Sequence, residues 1–561
     1  MPKIVKKKKK VGGGFGGGGP RARETSTLRP YANPRWAPCM DACPAGNDCR
    51  AIVTIVAQAE KLGKDQEKAF EEAFYALAET NPLPAVMGRV CPHPCEASCN
   101  RAQKDGAVGI NKTERFLGDW ALERGLPLKR TDEAPRGKKV AVVGSGPAGL
   151  SCAYQLARLG YAVTVFEAFS RLGGMLTWGI PPYRLPRMVL DAEITRIAKL
   201  GVEFKTGVKI GTDISLDTLK TDFDAIYVAI GAHKGYKLGV EGEDAPNVMT
   251  GAEFLKRIYA GEKIDVGNDV VVIGGGNTAI DAASVCRRLG ANTTILYRRT
   301  EAEMPAIAHE IQMAKEDGIS IELLAAPVGV KVENGRAVSM TCIRMELGEP
   351  DASGRRSPVP IAGSEYERPA SFIIPSIAQE PDFAGFEGLR EGRDWIKVDQ
   401  KWLTKLDGVW AGGDAAAVRP TGLATIAIGH GRLAANAIDA ALSGREWKAP
   451  PAHKVVASTE MKIAFYGEAE PLTAPVLPVE ERIHSMEAEV AGGFSVETVI
   501  AESRRCMSCG KCFQCETCYL YCQDQAVQKG APGEPYTYIF DKCQGCKKCA
   551  EECPCAFLEM R

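Results

Sequence analysis

Residues 138–168 read KKVAVVGSGPAGLSCAYQLARLGYAVTVFEA. A β-branched run enters Gly144-x-Gly146-x-x-Gly149, a helix-like stretch follows, and a second β-branched run ends on Glu167. The order predicts a strand, a tight turn, a helix and a second parallel strand. Glycines in such a turn let the backbone approach a pyrophosphate at the helix N-terminus, and the acid ending the second strand takes a ribose hydroxyl. A bound dinucleotide is therefore expected at Gly144, Gly146, Gly149 and Glu167.

A second copy, DVVVIGGGNTAIDAASVCRRLGANTTILYRRT, occupies residues 269–300. Gly274, Gly276 and Ala279 repeat the turn. Arg298 and Arg299 stand where an acid would be, and arginine there can neutralise a 2′-phosphate, favouring NADP(H) over NAD(H). The plain alternative is a pair of solvated surface arginines. Two further strand-like runs flank this copy: DAIYVAIGA at 224–232, and one from Gly408 into Gly412-Gly413-Asp414. The fold expected is α/β with two nested Rossmann-like units. The outer one, for FAD, spans 138–250 and 376–445; the inner one, for NAD(P)H, spans 251–375.

The chain has 20 cysteines. They gather at its two ends, between Cys39 and Cys99 and between Cys506 and Cys555; only Cys152, Cys286 and Cys342 fall in the middle and read as small buried residues. In RCMSCGKCFQCETCYLYCQDQAV (505–527), Cys512, Cys515, Cys518 and Cys522 have the spacing C-x2-C-x2-C-x3-C, and Cys543, Cys546, Cys549 and Cys553 repeat it before Pro554. Two such runs in tandem predict a bacterial-ferredoxin-like α+β domain over 501–561. The fourth cysteine of each run is placed to reach the other cluster. One 4Fe–4S cluster is thus expected on Cys512, Cys515, Cys518 and Cys553, the other on Cys543, Cys546, Cys549 and Cys522. Structural zinc, the alternative, usually shows two separated C-x2-C knuckles. Gln523 departs from the proline that often follows the first run. Cys506, Cys509 and Cys555 are surplus to these eight.

The net charge is zero and the charged fraction 25%, which argues against a nucleic-acid binder. No apolar run is long enough to span a membrane. The Lys/Gly-rich start, 1–30, reads as a disordered tail without the apolar core of a secretory signal. Cysteines clustered as metal ligands then suit a reducing compartment, and a cytoplasmic location is expected. Phe70, Phe74 and Leu77 mark a helix face within a helical domain over 31–130. Residues 446–500, rich in Pro and Ala, read as a linker.

These residues together resemble the small (beta) subunit of bacterial NADPH-dependent glutamate synthase and its relatives. The group includes the large subunit of NADH-dependent ferredoxin:NADP oxidoreductase and the electron-input half of dihydropyrimidine dehydrogenase. The resemblance covers roughly 37–445. It is carried by GRVCPHPCEASC (88–99), LGGMLTWGIPPYRLP (172–186), GGGNTAIDAA (274–283) and YRRTEAEMPA (297–306). The C-terminal module lies outside it; the DsrL-type oxidoreductases of sulfur metabolism carry such an appendage. The resemblance implies that Gly144, Gly146, Ala148 and Glu167 hold the adenosine end of FAD and that Gly174, Met175 and Arg184 line the flavin, with Gly413 and Asp414 on its ribityl-pyrophosphate side. Gly276, Asn277, Thr278, Arg298 and Arg299 would hold NADP(H). It also implies an N-terminal cluster on Cys39, Cys43, Cys91 and Glu114. Two positions where relatives place cysteines fall on Tyr31 and Pro34. Three clusters are expected, with a fourth left open because Cys49, Cys95 and Cys99 lack an identifiable fourth ligand. His93 reads as an ordinary loop residue.

The expected function follows. A nicotinamide gives up a hydride, clusters accept single electrons, and a flavin converts one into the other. No side-chain acid or base is required, so no catalytic residue is named. The chain should pass electrons between NAD(P)H and a partner redox enzyme, such as a glutamate synthase large subunit, a sulfite-reductase-type enzyme, or an oxoacid or aromatic system. A glutamate synthase small subunit proper and a self-contained flavin reductase are the alternatives.

Overall fold

A computed structural model describes residues 26–351, 354–391 and 394–561. The outer unit is a five-stranded parallel sheet in the order Val409–Ala411, Ala225–Val228, Lys139–Val143, Ala162–Glu167, Glu203–Thr206. Val140, Ala141 and Val142 are fully buried, as the strand at the centre of a sheet covered on both faces requires. The helices Pro147–Arg158 and Ala424–Leu442 pack against one another beside it.

Between Ala225–Val228 and Val409–Ala411 the chain leaves to build the inner unit. Its four-stranded sheet runs Phe372–Pro375, Asp269–Ile273, Asn292–Tyr297, Ser320–Leu323, again all parallel. The nesting read from the sequence is the topology found. Not foreseen is an antiparallel sheet inserted before the last inner strand, built from Ala325–Glu333, Arg336–Pro350, Arg356–Pro360 and Tyr366–Pro369.

The N-terminal region is helical, with Cys49–Gln58, Gln66–Ala78, Pro84–Val90 and Ile110–Glu123 around Phe70, Phe74 and Leu77, all fully buried. It sits on the outer unit. Arg432 Nε donates to Ala45 O (2.9 Å) and Tyr154 Oη to Ala78 O (2.7 Å).

Two expectations are corrected. Residues 446–500 do not hang as a loose linker. Arg482 is buried against Asp317 (2.6 Å) and Glu316 (2.9 Å) of the inner unit. Glu489 meets Arg89 (2.7 Å) and Arg115 (2.8 Å) of the helical domain. Its charged residues, at irregular intervals, find partners on both neighbouring units. The tail, in turn, is ordered before its expected limit of residue 30. Arg29 N donates to Arg561 O (2.7 Å), and Pro30–Ala32 pairs antiparallel with Leu558–Met560. Residues 1–25 lie outside the described residues.

The C-terminal module holds two short helices, Thr517–Tyr521 and Lys548–Glu551, and the hairpin Val527–Gln528/Thr537–Tyr538. Among the described residues no helix is long and apolar enough to cross a membrane.

Candidate functional site

Both dinucleotide turns open onto one cleft of about 2250 Å³, more than twice the usual upper size for a single drug-sized ligand. Gly144, Gly146, Ala148, Glu167, Gly174 and Met175 line it from the outer unit, Gly276, Asn277 and Thr278 from the inner one, and Arg184, Gly413 and Asp414 complete it. Gly149 and Gly274 shape the turns from behind, and neither Arg298 nor Arg299 is on the wall.

The residues fit the groups expected there. Helices Pro147–Arg158 and Asn277–Arg288 each begin after a glycine, with no side chain capping the first turn. Their leading N–H groups are therefore left for another acceptor, and phosphate is the natural one. A Cβ on Gly146 or Gly276 would meet no protein atom within 4 Å, whereas one on Gly149 would lie 1.9 Å from Gly144 O. The first two glycines keep ligand space open, and the third lets helix and turn touch.

Glu167 is locked at the end of its strand. Its Oε2 accepts from Ser145 N (3.0 Å) and Ser145 Oγ (2.5 Å), its Oε1 from Phe169 N (2.9 Å). Asp414 accepts from Gly422 N (2.7 Å), and burial raises its pKa above the usual carboxylate range. Arg184 reaches across to the inner unit and pairs with Asp281 (2.6 Å) and Glu310 (3.0 Å), so its guanidinium braces the two units against each other. His233, which sequence reasoning missed, also lines the cleft. Burial pulls its pKa below the ordinary histidine value, against the opposing pull of Glu167. Nothing in its local sequence signals this role.

The arginine pair is divided, because consecutive side chains at a strand end point to opposite faces. Arg298 is exposed. Arg299 is buried, pairs with Asp351 (2.6 Å) and donates to Arg356 O (2.7 Å). Only Arg298 is free to meet a 2′-phosphate.

In the C-terminal module each run has the fourth cysteine of the other run among its neighbours. Burial, then the nearby thiols of Cys515, Cys512 and Cys553, pushes Cys518 up to about 12. Burial, then Cys543, Cys546 and Cys522, does the same to Cys549. Cys555 lies 3.9 Å from Cys553, buried beside the first set.

The N-terminal set is regrouped. Cys43, Cys91 and Glu114 stay together: Cys91 is raised by burial and by Glu114, with Cys95 and Cys43 adding to the effect. Burial and Cys43 raise Glu114 to about 8 although Asn81 (2.7 Å) and Asn47 (3.3 Å) both donate to its Oε1. Cys39 is not in this neighbourhood. It sits on the one-turn helix Pro38–Asp41 and lines a separate small cavity, whereas Cys43 lies beyond the helix end. Cys95 takes its place, with Cys49 hydrogen-bonded to Cys43 beside it. Among the described residues no three His, Cys, Asp or Glu side chains converge as they would around a single metal ion; thiols around a cube stand wider apart than the roughly 2.3 Å bonds of a zinc site allow.

Comparison with known proteins follows the same division. Residues 138–441 match the family model pyridine nucleotide-disulphide oxidoreductase, and residues 33–126 match dihydropyrimidine dehydrogenase domain II, 4Fe-4S cluster. The NADP(+)-dependent formate dehydrogenase subunit beta of Moorella thermoacetica is 36% identical, covering 86% of this chain and 71% of that protein. The NADPH-Fe(3+) oxidoreductase subunit beta of Geobacter sulfurreducens is 37% identical, over 87% and 77%. The glutamate synthase (NADPH) small chain of Escherichia coli is 37% identical, over 65% and 82%. Among solved structures, a mutant of FprA from Mycobacterium tuberculosis shares the fold, with a TM-score of 0.50 and 18% identity over 55% of this chain and 85% of that one. A family match over more than half the chain, and relatives this similar along most of its length, place the chain in the pyridine nucleotide-disulphide oxidoreductase family, within its glutamate synthase small subunit-like group of NAD(P)H-dependent FAD/iron–sulfur oxidoreductases.

Proposed function

We propose that this chain is an electron-transfer subunit working between NADPH and a separate partner redox enzyme, with the C-terminal module as the port the partner meets. The observation that carries the reading is spatial order. Val90, immediately before Cys91, lines the dinucleotide cleft. Cys91 belongs to the N-terminal thiol group, and the ferredoxin-like module is docked on the helical domain, where Lys61 Nζ donates to Phe513 O and Gln514 O (2.7 Å each). At its outer edge Cys546 is exposed, as are Tyr519, Leu520 and Tyr521 beside Cys518 and Cys522.

Flavin, when bound, supplies the conversion of a two-electron hydride donor into one-electron steps. The chain's residues bind and orient. Uncapped helix ends at Gly146 and Gly276 take the pyrophosphates, Glu167 and Asp414 present fixed oxygens, and the Arg184 brace holds the inner unit over the outer one. His233, held neutral by burial, and Phe169 pack edge to face at 5.5 Å and narrow the cleft.

The names of the relatives, a formate dehydrogenase beta subunit and a glutamate synthase small chain among them, support a catalytic partner on another polypeptide without selecting one. A self-contained disulfide reductase is disfavoured, since none of the residues lining the cleft is a cysteine. Anaerobic mixing with NADPH should bleach the flavin. An unbleached flavin would refute the reading.

Arg298 should set the coenzyme preference. Arg298→Ala is expected to weaken NADPH by about 2 kcal/mol, roughly 30-fold in Kd, through loss of a charge-assisted bond to the 2′-phosphate. NADH binding should not change. Arg299→Ala should instead lower thermal stability, since its partner Asp351 belongs to the antiparallel insert. Equal loss of both coenzymes on changing Arg298 would remove the phosphate role.

A further inference from the structure

Cys506 and Cys509, surplus to the ferredoxin spacing, do not lie with the eight. The structure places them in a small cavity with Cys39 and Cys99, two residues from the helical domain and two from the segment leading into the module. We infer that these four thiols hold a further 4Fe–4S cluster, shared between the two ends of the chain and joining their redox groups.

The site is built on both sides. Helix Val496–Ser503 packs on Cys49–Gln58 and delivers the C-x2-C loop. Arg50 Nη1 donates to Cys509 O (2.6 Å) and Arg35 O (2.8 Å), and Gly510 O accepts from Arg35 N (3.1 Å). Ser508, at φ +52°, turns its own N–H onto Cys506 Sγ (3.5 Å), and Asn100 Nδ2 stands 3.6 Å from Cys509 Sγ. Such N–H···S contacts are how proteins hold clusters and tune their potentials. Cys49 and Arg101, the latter paired with Asp105 (2.7 Å), also line the cavity, and the remaining wall is apolar: Ala37, Val53, Val108, Ile110 and Met507.

Charge gives an independent pointer. Arg50 lines the cavity and is only 9% exposed, and its Nε has no hydrogen-bond partner. Among the described residues its side-chain bonds go to backbone carbonyls, not to a carboxylate. A buried guanidinium without a counter-ion is costly. Four thiolates around a cube would give it the negative charge it lacks.

The site also bridges. On one side the helix Pro38–Asp41, which carries Cys39, packs on Pro94–Ala97, which carries Cys95 of the neighbouring group. On the other side Tyr466, partly buried, donates to Met507 O (2.7 Å) and its ring lies 6.0 Å from that of Phe513, the residue after Cys512 of the next group. A cluster here takes one electron from the N-terminal group as that group is oxidised, and passes one to the Cys512/Cys515/Cys518/Cys553 group. No bond or proton moves.

The test uses the full chain, purified anaerobically. The wild type should hold about 16 irons, four per cube, and the Cys506→Ser/Cys509→Ser variant about 12, with one fewer reduced-cluster signal by electron paramagnetic resonance and unchanged FAD content. Wild type at about 12 irons overturns the inference, as does a variant that keeps the wild-type count. One zinc per chain, lost in the variant, overturns it too. Should the double variant fail to fold, the wild-type iron count decides alone. Arg50→Gln offers a second readout: iron content should stay and the midpoint potential of one cluster should fall, whereas a purely structural arginine would move none. Flavin bleaching tests the proposed function separately, so either claim can fail without the other.

Discussion

Serine at both Cys515 and Cys546 should abolish electron transfer to the partner while leaving NADPH able to bleach the flavin at the wild-type rate. Each substitution removes one of three closely spaced thiols from a cluster, and the interleaving of Cys522 and Cys553 ties the two clusters to one another. Iron should drop by about eight per chain. The flavin step should survive because the cleft draws no residue from the module. Small one-electron dyes should also still be reduced, since they can reach the flavin or the N-terminal groups directly. The outcome does not depend on the module keeping its fold. A variant that supports its partner at full rate would place the exit at the helical domain instead, as the resemblance to glutamate synthase small subunits alone implies.

The first dinucleotide turn should separate architecture from ligand space. Gly149→Ala puts a Cβ 1.9 Å from the carbonyl oxygen of Gly144. Both sides of that clash are backbone, so the helix Pro147–Arg158 must lift off its strand. Forced shifts in packed regions typically cost about 1–3 kcal/mol and sometimes more. Thermal stability and FAD content should fall together. Gly146→Ala adds a Cβ that meets no protein atom within 4 Å, so the melting temperature of the FAD-free chain should hold while FAD affinity drops. Full FAD occupancy in Gly146→Ala would show that the pyrophosphate is not bound there.

The nested units were legible because each signal was local and complete: strand, glycine turn, helix and second strand in register, twice. The ferredoxin-like runs, where the structure brings Cys553 near the first and Cys522 near the second, were legible as a spacing. The helical domain was not, because its ligands are brought together by tertiary packing. Cys39 and Cys43, four residues apart, look like one set, yet the helix carrying Cys39 ends before Cys43. The arithmetic did hold a clue. Two ligand positions fall on Tyr31 and Pro34, and one C-x2-C pair, Cys506 and Cys509, is left over. In the structure Tyr31 is spent on pairing with Glu559 in the terminal sheet. Arg298 and Arg299 are adjacent in sequence but face opposite ways, which only their partners reveal. The strap over 446–500 has linker composition, and its order rests on long-range ion pairs such as Arg482 with Asp317 that no periodicity announces.

The central claim is that electrons travel between the nicotinamide site and the clusters through one connected chain. It is tested most directly by reducing the full-length protein completely under anaerobic conditions, removing the reductant and adding NADP+. Two electrons from the flavin and one from each of four clusters should yield about three NADPH per chain, with the reduced-cluster resonance signals lost as NADPH forms. A yield of about one NADPH, with the cluster signals persisting, would mean that the clusters are cut off from the flavin, and would contradict the account.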